Sequence, residues 1–87
     1  MNNPSSQTNK PPALLRRIRP EKNERRFYVM QVTSDLFGKT LLWRNWGRIG
    51  TQGRQRWDLC HDPNTAAEAL NHLVTKKLKR GYRLLST

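Results

Sequence analysis

A tryptophan lies among several arginines in the middle of the chain, and together these residue types can bind a polyanion. Arg44, Trp46 and Arg48 occupy alternate positions, and Arg54 and Arg56 repeat this spacing further on. Side chains two residues apart on a β-strand point to the same face. Guanidinium groups pair with phosphate in a forked geometry, and a tryptophan offers a flat surface to a base or sugar. The pattern is typical of a nucleic-acid-binding surface, but the spacing equally allows Trp46 to lie in the core while the arginines are only solvated.

Three segments around these residues have the aromatic and β-branched composition of strands. They are residues 25–33, 40–46 and 54–60, and turn formers such as Asp35 and Gly38 separate them. Gly47 and Gly50 interrupt the chain after the second segment, as bulges or bends do. The three segments therefore predict a small antiparallel sheet.

Alternation along the second and third strands sorts their side chains onto two faces. Trp43 shares a face with Leu41, whereas Trp57 shares one with Leu59. We expect Trp43, Trp57 and Leu59 to form the core beneath a helix. The opposite face is then the exposed, ligand-binding one, and it carries Trp46, Arg44, Arg48, Arg54 and Arg56.

The C-terminal third predicts one helix. Thr65 and Glu68 match the capping box, with Thr65 as N-cap and Glu68 at N3. Apolar residues then recur at helical spacing, and Gly81 stands where a left-handed cap would be. The fold class predicted is α+β, a small antiparallel β-sheet with one α-helix packed on one face. Cations near the end of the helix extend the candidate binding surface, and they are Lys76, Lys79 and Arg80.

The first 24 residues differ in composition from the rest. They hold four of the five prolines and little apolar content, so ordering them would cost more free energy than they could recover by burial. We predict a disordered basic N-terminal arm over residues 1–24 and a folded domain over residues 25–87. The stretch from Ala13 to Arg19 is an exception that also allows a short helix or a docking strip.

The overall charge favours a polyanionic partner. Seventeen Lys and Arg face six Asp and Glu among 87 residues, a net charge of +11. Each phosphate that such a protein neutralises releases counterions, which favours nucleic acid. An anionic membrane surface is the other polyanion considered, but no membrane-spanning or secretory segment is evident in the sequence. One cysteine permits no internal disulfide, so we expect a cytoplasmic protein, nucleoid-associated if it binds DNA.

No group of residues suggests catalysis. Cys60, His61 and Asp62 are adjacent, but neighbouring strand residues point to opposite faces. One Cys and two His also fall short of a structural zinc set. We therefore expect a protein that is not an enzyme and that has no metal and no cofactor.

The segment Trp46-Gly47-Arg48-Ile49-Gly50 resembles the signature of the WGR domain family. The residues before it, at 35–38 and 42–45, are also similar to that family, and so is the ending at 79–82. The resemblance covers roughly residues 25 to 83. A five-residue signature between strands and followed by one helix is far more specific than a lone Trp-Gly-Arg.

The resemblance implies a function as well as a fold. WGR domains of poly(ADP-ribose) polymerases help to recognise DNA breaks, and there the signature tryptophan packs against sugar and backbone, a role that would fall on Trp46. Arg48 would inherit an interdomain role, although the other polymerase domains are not in this sequence. We expect a monomeric, non-catalytic module that binds nucleic acid, DNA rather than RNA, at ends, nicks or structured sites. The alternative is a protein-interaction adaptor that binds an acidic partner through the same surface.

Overall fold

The structure, a computed structural model, describes residues 11–86. The chain forms five strands and one α-helix within these residues. In chain order they are β1 (Ala13–Arg19), β2 (Glu24–Ser34), β3 (Thr40–Arg48), β4 (Arg54–Cys60), α1 (Pro63–Lys79) and β5 (Arg83–Ser86), and a 3-10 turn over Pro20–Lys22 joins β1 to β2. The predictions made for residues 1–10 lie outside the described part of the chain.

The strands form one antiparallel sheet in the order β4-β3-β2-β1-β5. The 11-residue β2 is the longest strand and occupies the centre. The single helix packs on one face of this sheet, which we call the helix face; the other is the open face. The predicted α+β fold with one helix on an antiparallel sheet is confirmed.

The core lies between α1 and the helix face. Met30 is fully buried at the centre, and Leu70, Leu73 and Val74 of α1 pack against the residues around it. Burial of such side chains is the main source of stability in a chain of this size. The buried apolar residues are Ala13, Leu15, Tyr28, Met30, Val32, Leu42, Ala66 and Tyr82.

The helix covers the face opposite to the predicted one. Leu42 is buried beneath it, and Trp46 packs against the core from the same side. On the open face Trp57 is 56% exposed and Leu59 67% exposed, and Trp43 lies directly opposite Trp57. The assignment of Trp43, Trp57 and Leu59 to the core beneath the helix is therefore wrong. Alternation separates the two faces of a strand, but both faces here carry apolar residues, so it does not say which one meets the helix.

Residues 13–19, which the sequence assigned to a disordered arm, form an interior strand. β1 pairs with β2 from Ala13 opposite Met30 to Arg19 opposite Glu24, and its other edge pairs with β5. The backbone therefore has strand partners on both sides, and Leu15 is buried. The predicted boundary at residue 25 is wrong for residues 13–24, because the arginines of β1 conceal the alternation of its apolar residues.

The helix ends as expected, but it begins earlier than expected. Asp62 is the N-cap, since its carboxylate accepts a hydrogen bond from the Thr65 amide at 2.7 Å, and Pro63 occupies the first turn. The prediction of Thr65 as the cap is therefore wrong, and proline at the first helical position explains why. At the other end Gly81 has a φ of +94°, and the Tyr82 amide donates to the Lys77 carbonyl at 3.0 Å. This left-handed cap turns the chain into β5, a strand that the sequence analysis did not predict.

Replacing Leu15 tests whether β1 belongs to the core. We expect Leu15→Ala to lower the free energy of unfolding by about 2–5 kcal/mol, as for other buried leucines. Leu36→Ala is the matched control, because Leu36 is 97% exposed in the β2–β3 turn, and it should change stability by about 0.5 kcal/mol or less. Chemical denaturation of both variants is the measurement. Equal, small effects would mean that β1 is not part of the folded unit.

Candidate nucleic-acid interface

The signature tryptophan lies on the helix face at the edge of the core. Trp46 stacks on Tyr28 with ring centroids 5.6 Å apart and planes 14° from parallel. Tyr28 in turn meets Tyr82 edge-on at 6.4 Å. Trp46 is half-buried, so one part of its ring supports the core while another part is accessible. Both sequence-based interpretations of Trp46, core residue and surface residue, thus describe part of its environment.

A lysine that the sequence analysis left out of the site sits on these rings. The Lys77 ammonium lies 4.3 Å from the centroid of the Tyr28 ring and 5.4 Å from that of Tyr82. Cation–π contacts of this kind stabilise a partly desolvated charge. We call Tyr28, Trp46, Lys77 and Tyr82 the Lys77 cluster. The signal for Lys77 in the sequence is a cation at helical spacing from the apolar Leu70, Leu73 and Val74.

Lys77 carries its charge in an unfavourable environment. It forms no salt bridge within the described residues. Its pKa is lowered from the ordinary value, first by burial and then by repulsion from the neighbouring cations Arg80, Arg17, Arg44 and Lys76. A positive charge surrounded by positive charges is a site where an anion would be stabilised.

Two of the predicted site arginines share one carboxylate within the sheet. Arg44 donates to the Asp58 carboxylate at 2.9 Å, and Arg56 donates to its other oxygen at 2.8 Å. These bonds, that of Arg56 foremost, hold the pKa of Asp58 below its usual range. Burial opposes the charge of Arg44, but its hydrogen bonds to Tyr28 and Asp58 raise its pKa overall. Arg44 and Arg56 therefore hold the helix face together as well as adding positive charge to it.

A second carboxylate, beyond the end of the helix, also pairs with several arginines. Glu24 pairs with Arg17 at 2.8 Å, Arg26 at 3.2 Å and Arg19 at 3.6 Å. Burial would raise the pKa of Glu24, but these arginines lower it overall. Arg17 and Arg19 also donate to the Arg80 carbonyl at 2.8 and 3.3 Å. They thereby satisfy a free carbonyl at the negative end of the helix dipole.

The signature arginine is used inside the molecule. Arg48 donates to the Asn23 carbonyl at 3.2 Å and lies 3.5 Å from the Asn23 amide oxygen. It thereby links β3 to the turn between β1 and β2. Its side chain remains exposed, so this contact does not prevent it from meeting an external group.

The signature glycine is required by a close approach of two backbones. Gly47 lies within an unbroken stretch of β2–β3 pairing, so no bulge occurs there. A Cβ added at Gly47 would lie 2.8 Å from the Cα of Gly53. Only glycine fits at this position, because the chain returns from the β3–β4 turn directly beside it. Gly50, with a φ of +97°, forms that turn.

Several predicted cations have no acidic partner among the described residues. Arg54 lies directly opposite Trp46 across the β3–β4 pair. Lys76 and Arg80 are close enough to Lys77 to affect its pKa, and Lys79 is exposed on the last turn of α1. Lys76 and Arg80 therefore lie near Lys77. Trp46 contacts the same Tyr28 ring as Lys77, and Arg54 lies beside Trp46. Arg44 and Arg56 belong to the same face, where they pair with Asp58.

Cys60 and Asp62, which are near each other in the sequence, both have structural roles. Cys60 packs against the core beside Val32 and Ala66, and Asp62 is occupied as the helix cap. The described residues contain no group of three or more His, Cys, Asp or Glu that could hold a metal ion. Within residues 11–86, α1 is not long and apolar enough to cross a membrane.

Comparison with known families agrees with this geometry. The family model of the WGR domain matches residues 12–87. The chain belongs to the WGR domain family. The match begins beside Ala13, where β1 begins, so the matched region includes the strand that was predicted to belong to the arm. Membership of the WGR family is consistent with a nucleic-acid-binding module in general.

A curated relative is similar to most of this chain but is a longer protein. The chain is 38% identical over 69 residues to the uncharacterized protein y4dW of Sinorhizobium fredii (strain NBRC 101917 / NGR234). The similarity covers 79% of this chain and 34% of the relative, so the chain spans about a third of the length of that protein. No solved structure matches the chain.

Replacing each of two tryptophans tests the corrected faces. We expect Trp46→Ala to lower the free energy of unfolding by about 2–4 kcal/mol, somewhat less than loss of a fully buried aromatic. Trp57→Ala should cost about 0.5 kcal/mol or less, since Trp57 is exposed. Thermal and urea unfolding would measure both. A larger loss of stability for Trp57→Ala than for Trp46→Ala would mean that the helix covers the face that carries Trp57.

Proposed function

We propose that this WGR domain is a non-catalytic DNA-binding module that holds backbone phosphate at the Lys77 cluster. The observation that carries the proposal is Lys77 itself, a half-buried ammonium ringed by other cations and without an acidic partner among the described residues. A phosphate placed there would supply the missing negative charge. The arginines that pair with Glu24 and Asp58 share two carboxylates, whereas Lys77 has none among the described residues.

The neighbours of Lys77 suit a nucleic-acid backbone rather than a free ion. The accessible part of Trp46 can pack against a sugar, and Arg54 opposite it can pair with the next phosphate. Lys76 and Arg80 extend the positive surface along α1. At a DNA end or nick the terminal nucleotide lacks a neighbour on one side, so a flat aromatic can pack against it while the adjacent cations bind phosphates.

The same geometry argues for binding without base readout. The contacts proposed at the Lys77 cluster go to phosphate and sugar, and none of them requires α1 to enter a major groove as a recognition helix does. Contacts to phosphate and sugar position a protein on DNA but carry no sequence information. We therefore propose recognition of DNA structure, such as ends or nicks, rather than of sequence, with DNA favoured over RNA.

Removing the Lys77 charge tests the proposed site. We expect Lys77→Ala to weaken binding to a nicked or blunt-ended duplex by about ten- to a hundredfold, the effect of losing one charged hydrogen bond. The slope of log affinity against log salt should become shallower by about 0.9. Lys39→Ala is the matched control, because it removes the same charge beside the β2–β3 turn, at the other end of β3 from Trp46. Fluorescence anisotropy between 50 and 200 mM salt, the range over which phosphate contacts weaken, would measure both.

Equal losses for the two lysine variants would mean that only total charge matters. No binding of wild-type protein to duplex, nick or RNA, together with capture of an acidic protein after nuclease treatment, would support the adaptor function instead.

The pH dependence of binding provides an independent test. Because the pKa of Lys77 is lowered from 10.5, its charge is lost at a lower pH than that of an ordinary lysine. Wild-type affinity for duplex should therefore fall as the pH rises toward 10.5. Lys77→Arg keeps its charge over this range, so its affinity should fall less. Parallel pH profiles for the two proteins would show that Lys77 does not contact the bound phosphate.

A further inference from the structure

The open face carries a pair of tryptophans that neither the core nor the Lys77 cluster uses. Trp43 and Trp57 lie directly opposite each other on β3 and β4. The indole of Trp43 is held in place, since its N–H donates to the Gln55 side-chain oxygen at 2.9 Å. Trp57 is more than half exposed. Both rings line a shallow concavity of about 320 Å³, together with Gln31, Thr33 and Gln55.

The open face is also free of negative charge within the strands. The two acidic residues of the described strands, Glu24 and Asp58, both pair with arginines on the helix face. By alternation from the buried residues, Arg16, Arg25 and Arg83 belong to the open face. All three are exposed and form no salt bridge among the described residues. Arginines without carboxylates, on the same surface as two aromatic rings, favour an anionic occupant that also has flat apolar parts.

The sheet register connects the tryptophans to the arginines. Gln31 lies opposite Trp43, and Phe27, four residues back along β2, lies opposite Arg16. Four residues of strand span about 13 Å. Half-buried apolar side chains cover the distance between the two groups, and they are Phe27 and Val29. A short flexible polymer with alternating rings and charges can therefore contact both ends of the surface at once.

We propose that the open face binds single-stranded nucleic acid, with unpaired bases stacked on Trp57 and Trp43 and phosphates near Arg16, Arg25 and Arg83. Unpaired bases expose the ring faces that a duplex conceals, and an aromatic side chain accepts any of them. This site is separate from the proposed duplex contact at the Lys77 cluster. It rests on the proposed function only in the premise that the protein binds nucleic acid.

The charge of the open face also argues against a second copy of the chain or an apolar protein segment as its occupant. A second copy of the chain packed face to face would bring arginines against arginines. An apolar protein segment would leave the same three arginines unmatched and partly desolvated, which is costly. A single strand satisfies the rings and the guanidinium groups together.

Two neighbouring exposed residues supply a matched test. Trp57→Ala removes a stacking ring, and Leu59→Ala removes an apolar side chain from the same strand and face. With a short unstructured deoxythymidine oligonucleotide, Trp57→Ala should bind at least about fivefold more weakly than wild type, the lower limit for one base stacked on an aromatic ring. Leu59→Ala should bind within about twofold of wild type. Circular dichroism would verify that both variants fold.

The outcomes separate this site from the proposed duplex site. We expect Trp57→Ala to keep its affinity for blunt duplex, and Lys77→Ala to lose duplex affinity while still binding the oligonucleotide. Oligonucleotide binding that depends on Trp57 supports the open-face site even if wild-type protein binds no duplex. Equal oligonucleotide affinity for wild type and Trp57→Ala would overturn it, and so would equal losses for Trp57→Ala and Leu59→Ala.

A fluorescence measurement gives a second readout. Trp46→Phe leaves only the two open-face tryptophans as emitters among the three of the chain. Stacking of bases should quench and shift this emission as oligonucleotide is added. Emission that stays unchanged at saturating oligonucleotide would place the bound strand elsewhere.

Discussion

One helix has to cover a five-stranded sheet, and it can cover only one face. The 17 residues of α1 make a helix about 25 Å long. Its apolar stripe meets the central strands through Leu70, Leu73 and Val74. The face that it covers becomes the core, and the other face keeps its aromatic residues in contact with solvent. The face that the helix covers therefore determines which tryptophan stabilises the domain and which tryptophans a ligand can reach.

Two carboxylates organise the charge of the covered face. Glu24 and Asp58 each pair with more than one arginine, so two carboxylates compensate part of the charge of five arginines. The pairs with the largely buried Arg17 and Arg44 are screened by salt less than exposed ones. The cations of the Lys77 cluster and of the open face lack such partners within residues 11–86. The chain thus divides its cations into those that stabilise the fold and those that are left to attract an anion.

Local signals in the sequence predicted most of the architecture. The strands β2, β3 and β4, the helix and its glycine cap were recognisable from composition and periodicity, and the signature around Trp46 identified the family. The capping residue was missed although Pro63, directly after Asp62, marked the start of the helix. β1 was missed because its apolar positions are interleaved with arginines whose partners are distant in sequence, such as Glu24 and the carbonyl of Arg80.

Alternation of side chains alone does not predict which face of the sheet the helix covers. Both faces of β3 carry apolar residues, with Leu42 and Trp46 on one side and Leu41 and Trp43 on the other. Only tertiary packing decides between them, through contacts such as Ala66 against Leu42. Arg54 lies opposite Trp46, and Lys76 and Arg80 lie near Lys77. The pairing of Arg44 and Arg56 with Asp58 could not be predicted, because it depends on the side of the sheet that they share. A cation within the apolar stripe of α1 marked Lys77 in the sequence, but its contacts with Tyr28 and Tyr82 depend on tertiary packing.

The three indole N–H groups of the chain report on the two surfaces separately. An NMR titration of the full chain with blunt-ended DNA duplex would therefore locate the bound backbone most directly. If phosphate is held at the Lys77 cluster, the Trp46 indole signal and the Lys77 amide should move at low duplex concentrations, while the Trp43 and Trp57 indoles stay in place. Duplex-induced shifts confined to Trp43 and Trp57, with Trp46 and Lys77 unmoved at saturation, would contradict the account.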